Sequence, residues 1–166
     1  MLISVLLSNA YYVLTPTKTE IITMKQLLNT DTGTLILRVA LGSVLLSHSL
    51  YLKMIVFTLA GTAQYFSSIG LPEVLAYIVF FIEVISGVSL LLGFNTRFFS
   101  ALVIPVLLGA TWAHYANGWL FTNAGGGWEY PLCLALMALA QLSLGGGNYA
   151  ITPYFISKQQ QIRAQE

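Results

Sequence analysis

The sequence predicts an all-α, integral membrane four-helix bundle with a short interfacial helix between helices 1 and 2, and three observations carry this. Composition is the first: 57% of the residues are hydrophobic and 8% charged, where soluble domains carry about 25% charged residues. The second is that four segments approach the roughly 20 apolar residues needed to cross about 30 Å of hydrocarbon. The third is that turn residues fall between those segments.

The elements follow in order. Met1 to Leu14 is apolar but too short to span, and it lacks the basic region and small-residue cleavage site of a signal peptide. Residues 1–33 therefore form an N-terminal extension, of which residues 1–23 are either a misassigned start or a loose segment preceding Met24. Residues 34–150 form the transmembrane domain and residues 151–166 a tail. The spans are Thr34 to Met54, Pro72 to Phe94, Phe98 to Ala116 and Trp128 to Leu144, the last short but flanked by interfacial aromatics. Gly70-Leu71-Pro72 opens the second, Gly93-Phe94-Asn95-Thr96 closes it, and Gly145-Gly146-Gly147-Asn148 ends the fourth. Ala60 to Gly70 is too polar to cross yet carries Tyr65, Phe66 and Ile69, which suits a helix lying on the membrane surface.

With four spans, Lys18, Lys25, Arg38, Arg97, Lys158 and Arg163 fall on one side and Lys53 alone on the other. The positive-inside rule then places both termini in the cytoplasm. A net charge of +1 with dispersed Lys and Arg gives no footprint for nucleic acid. One cysteine, Cys133, excludes an intrachain disulfide, a CxxC pair and a cysteine-rich metal site.

Polar residues inside the spans are the functional candidates, because a transmembrane acid costs about 2.5 kcal/mol or more and normally faces a partner. Glu83 stands alone in the apolar run Leu75 to Leu92. Counting the helical rise, Arg38 lies about 6 Å inside the cytoplasmic edge, within side-chain reach of a carboxylate near the midplane. A buried Arg38–Glu83 pair is expected, either fixing helix register or handling protons. Toward the opposite edge lie His48, Lys53, His114 and Glu129, beneath a loop rich in aromatic residues that includes Trp119, Trp128 and Tyr130. Such a cluster suits a quinone or other small redox carrier, whose reduction needs protons from groups titrating near working pH. The plainer reading makes these charges interfacial and the rings an aromatic belt. Haem between His48 and His114 is disfavoured because their depths differ by about one turn. No metal is expected, since the single cysteine and the scattered His, Asp and Glu residues form no ligand cluster.

Several short stretches together resemble one family. They are Leu37-Arg38; Gly61-Thr62-Ala63-Gln64-Tyr65-Phe66 with Gly70-Leu71-Pro72; Glu83 followed by Leu90-Leu91-Leu92-Gly93 and Thr96-Arg97; then His114, Asn117-Gly118-Trp119 and Gly126-Gly127-Trp128-Glu129-Tyr130. Their order over roughly residues 34 to 150 is similar to that of the DoxX family of small bacterial inner-membrane proteins. The resemblance implies a four-helix membrane bundle in the plasma membrane and a link to quinone-dependent redox chemistry, with no agreed catalytic residues. It departs at the end of the first helix, where the family pattern His-Gly-x-x-Lys is replaced by His48-Ser49-Leu50-Tyr51-Leu52-Lys53. On an α-helix a spacing of five sets the two side chains about 140° apart, against about 40° for a spacing of four. Aligned on Lys53, Ser49 takes the position of the family histidine.

Two functions remain. One is a membrane subunit of, or accessory to, a quinone-linked oxidoreductase; with no dinucleotide fingerprint and no cysteine pair, a partner redox protein must supply the electrons. The other is a non-catalytic anchor or assembly protein whose polar interior serves helix specificity. A carrier is disfavoured because no inverted repeat is visible. The expected partners are the lipid bilayer and a redox protein or further copies of the chain.

Overall fold

A computed structural model of the chain describes residues 29–152. What was expected of the extension before residue 29 and of the tail after residue 152 lies outside the described residues. The described residues form five α-helices and no strand. Helix α1 (Thr30–Leu46) runs directly into a π-helix (Ser47–Val56), followed by α2 (Leu59–Ser68), α3 (Val74–Leu92) and α4 (Thr96–Ala113). A 3-10 turn (Tyr115–Asn117) then leads to α5 (Glu129–Leu144).

The first helix begins earlier than the hydropathy indicates because Asn29 caps it, accepting a hydrogen bond from the Thr32 N–H at 2.8 Å. Helix α3 ends as its turn residues predict: Gly93 is left-handed (φ 74°) and the Phe94 N–H donates to the Ser89 carbonyl at 2.8 Å. Thr58 opens α2 by accepting from the Gly61 N–H at 3.1 Å. That helix packs its Thr62 and Ala63 inward against α3 and the π segment.

Three helical stretches, Thr30–Val56, Val74–Leu92 and Thr96–Ala113, are long and apolar enough to cross a membrane. Helix α5, with 16 residues, reaches about 24 Å and depends on its flanks to complete a crossing. Large apolar side chains such as Ile36, Phe81, Ile85, Phe98, Leu108 and Leu136 face outward, as lipid solvation allows. Leu41, Leu45, Leu90, Val103, Leu107, Leu134, Ala135 and Ala138 fill the interior.

Helices α1 and α3 approach closely through Gly42 and Gly87. A Cβ on Gly42 would lie 2.9 Å from the Gly87 carbonyl oxygen, and one on Gly87 would lie 2.8 Å from Leu46 Cγ. In lipid, where apolar association gains little from water, such small-residue contacts supply the packing. The up-and-down order gives the bundle two ends. Val56, α2 and the loop before α5 mark the loop end; Thr30, Gly93 and Gly145 mark the terminal end.

Candidate functional site

Glu83 sits halfway along α3 and is buried. Its partner is Lys53: Nζ donates to Oε2 at 2.5 Å, and the Ser49 hydroxyl donates to the same oxygen at 3.0 Å. This corrects the expected Arg38–Glu83 pair. Arg38 and Ser49 are eleven positions apart, about 16 Å along one helix, so a side chain from Arg38 does not reach Glu83. Arg38 is instead buried at the terminal end, where its Nη2 donates to the Tyr149 carbonyl at 2.6 Å. The depth count failed because it treated Lys53 as an edge residue, whereas its long stem carries the ammonium down to the carboxylate.

Ser49 and Lys53, both in the π segment, are four residues apart and meet one carboxylate from the same side. In a π-helix each N–H bonds five residues back, as the Phe57 N–H does to the Leu52 carbonyl at 2.8 Å. His48 and Lys53, five residues apart, face different helices, in keeping with the separation expected on α geometry. Ser49 and Lys53 face α3, and the one Ser49 hydroxyl hydrogen is shared between Glu83 Oε2 and the Leu45 carbonyl, which lies 2.7 Å from Oγ. Ser49, the residue standing where the family histidine is expected, was not among the candidates; its alignment on Lys53 was the signal that pointed to it.

His48 turns to α5 instead and stacks on Tyr130, with centroids 5.6 Å apart at 28°. Its Nδ1 lies 3.0 Å from the Val44 carbonyl. A carbonyl only accepts, so Nδ1 carries the hydrogen and Nε2 of the neutral ring is left as the basic nitrogen. The same logic applies to His114, whose Nδ1 lies 2.8 Å from the Ala110 carbonyl.

The expected outer cluster divides into three. Lys53 joins Glu83, His48 joins Tyr130, and His114 stands beside Gly126, where an added Cβ would lie 3.5 Å from its ring. Glu129 braces the loop, its Oε1 accepting from the Phe121 N–H at 2.8 Å. Trp119 and Trp128 meet edge to face at 4.4 Å, and Trp128 lies 5.9 Å from Tyr115. Asn117 Nδ2 donates to the Gly125 and Gly126 carbonyls, and Asn123 Nδ2 to the Asn117 carbonyl. The loop is thus a hydrogen-bonded cover over the loop end, placed by backbone contacts as much as by the rings.

These features define a helical membrane protein with, among the described residues, one buried acid–base pair, and with a structured, aromatic-rich loop at the loop end. The chain belongs to the DoxX family, whose profile matches residues 33–116. It is also similar to a Bacillus subtilis (strain 168) protein named "Putative oxidoreductase CatD", with 33% identity over 128 residues that cover 77% of this chain and 90% of that protein. No solved structure matches the chain.

Proposed function

We propose that this chain is an inner-membrane subunit of, or accessory to, a quinone-linked oxidoreductase, in which Glu83, Lys53 and Ser49 handle protons beneath the loop end. The observation that carries the reading is the buried contact among these three groups, set in a π-helical segment of the kind often found at functional sites. A carboxylate shared by an ammonium and a hydroxyl passes a proton with little movement. The name of the Bacillus relative, an oxidoreductase, supports redox chemistry. Electrons come from a partner protein, and quinone is the acceptor class that suits an aromatic site at membrane depth. The distribution of Lys and Arg along the sequence supports cytoplasmic termini and an outward-facing loop end.

One observation favours a second reading, a non-catalytic assembly or anchoring protein: Glu83 is already satisfied by Lys53 and Ser49 without a substrate. A single experiment separates them. The chain is isolated from native membranes with its co-purifying proteins, and quinone reduction is assayed with and without Glu83→Gln. The redox reading expects a loss of at least about a hundredfold, the lower range for a general acid–base group. Unchanged turnover in a correctly assembled complex leaves the anchoring reading standing.

A further inference from the structure

At the terminal end, away from the Lys53–Glu83 pair, a second polar layer lies inside the bundle. Arg38 is 2% exposed, and Ser100 and Gln141 are fully buried. Among the described residues each has side-chain atoms without a hydrogen-bond partner: Nε and Nη1 of Arg38, Oγ of Ser100 and Oε1 of Gln141. These residues share one level. Asp31 bonds Asn148 and His48 stacks on Tyr130, a register that sets Gln141 opposite Arg38. Arg97 donates to the Ser143 carbonyl and Thr96 lies against Gly146, which sets Ser100 opposite Gln141 on the other side.

The chemistry of the layer is specific. Among the described residues the guanidinium has no acid partner: Asp31 is engaged by Asn148 and Glu83 by Lys53. An unpaired buried charge is strongly destabilising, so Arg38 calls for an anion. Gln141 asks for the opposite, a donor. Its Nε2 faces the Gly145 carbonyl at 2.5 Å, which only accepts, so the amide orientation is fixed and Oε1 is the open acceptor. Ser100 can serve either role.

We propose that Arg38, Ser100 and Gln141 form a binding site for a small oxyanion that carries its own hydroxyl, of the hydrogen phosphate or bicarbonate type. The oxyanion oxygens accept from Arg38 and Ser100 while the hydroxyl donates to Gln141 Oε1. A dianion without a proton, such as sulfate, leaves Gln141 Oε1 facing like charge. Residues 145–152 form the cover: Tyr149 takes one nitrogen of Arg38, Asn148 is tied to Asp31, and Thr152 accepts from the Asn95 N–H while donating to the Gly93 carbonyl. Left-handed Gly145 and Gly147 (φ 78° and 68°) are its hinges.

The test uses the full chain in detergent and in phosphatidylcholine nanodiscs, with titration calorimetry and thermal denaturation in phosphate, bicarbonate, sulfate or chloride at matched ionic strength. Saturable binding of phosphate or bicarbonate, about tenfold tighter than sulfate, is expected, the discrimination that one unmatched buried acceptor imposes. Gln141→Leu should erase the preference over sulfate, and Ser100→Ala should weaken binding about tenfold while keeping the preference. Arg38→Met should abolish binding; should that variant not fold, the Ser100 and Gln141 variants decide the matter. A response found only when phosphatidic acid is added assigns the same site to a lipid phosphomonoester headgroup. Equal responses to phosphate, sulfate and chloride, or a preference unaltered by Gln141→Leu, overturn the proposal.

Discussion

Glu83 accepts from two residues of one neighbouring helix, and its energetics follow from that sharing. Removing either member of the pair leaves the other charge without its partner, so Lys53→Met and Glu83→Gln should each destabilise the protein more than their surface counterparts would. The double variant should be less damaged than the two losses combined imply, with a coupling of about 1 to 3 kcal/mol measured by denaturation in mixed micelles. Ser49→Ala removes the hydroxyl shared between Glu83 and the Leu45 carbonyl and should cost about 1 kcal/mol. Gly93 combines two demands, a left-handed φ of 74° and a Cα face against which Arg38 Nη1 packs. Gly93→Ala should therefore cost more than the 1 to 3 kcal/mol typical of a strained backbone position alone, and the same denaturation assay reads it. At this scale the sequence was half legible. Glu83 stood out as a lone acid, but its partner did not: Arg38 and Lys53 are both cations near span ends, and a depth count in α-helical steps favoured the wrong one.

At the scale of elements, turn chemistry was the reliable signal and helix type the missing one. Gly93-Phe94-Asn95-Thr96 and the triple glycine before Asn148 ended helices where the structure ends them. Nothing in Ser47 to Val56 announces π geometry, because apolar periodicity over ten residues does not resolve a slightly wider turn. The extra width yields a direct test. Deleting Leu50 and Tyr51 together removes the extra width and sets Lys53 about 160° from Ser49 on an α-helix. Stability should fall to the level of Lys53→Met, and in that background Glu83→Gln should cost little more. The contact of α1 with α3 offers a second: Gly87→Val drives a branched side chain into Leu46 and should cost about 1 to 3 kcal/mol by overpacking.

For the whole molecule, hydropathy and punctuation revealed an all-helical membrane protein with a short helix after the first span, while the division of its polar residues between two ends was hidden. Residues far apart in sequence, such as Arg38 with Tyr149 or His48 with Tyr130, meet only through helix register, which no single segment encodes. Orientation can be measured at this scale. In a Cys133→Ser background, a cysteine replacing Asn123 should react with a membrane-impermeant maleimide on intact cells, and one replacing Ser143 only after permeabilisation. The reverse pattern would invert the assignment of cytoplasmic termini.

Between Arg38 and Ser49 the interior of α1 is carried by Leu41 and Leu45, packed with Leu90, Val103 and Leu107. Ser86 and Ser89 add buried hydroxyls to that stretch but no acid or base. On the redox reading proposed above, protons taken up or released at Glu83 would therefore exchange with the compartment nearest the loop end. Turnover would then be scalar, changing pH on one side of the membrane without itself driving charge through the bundle.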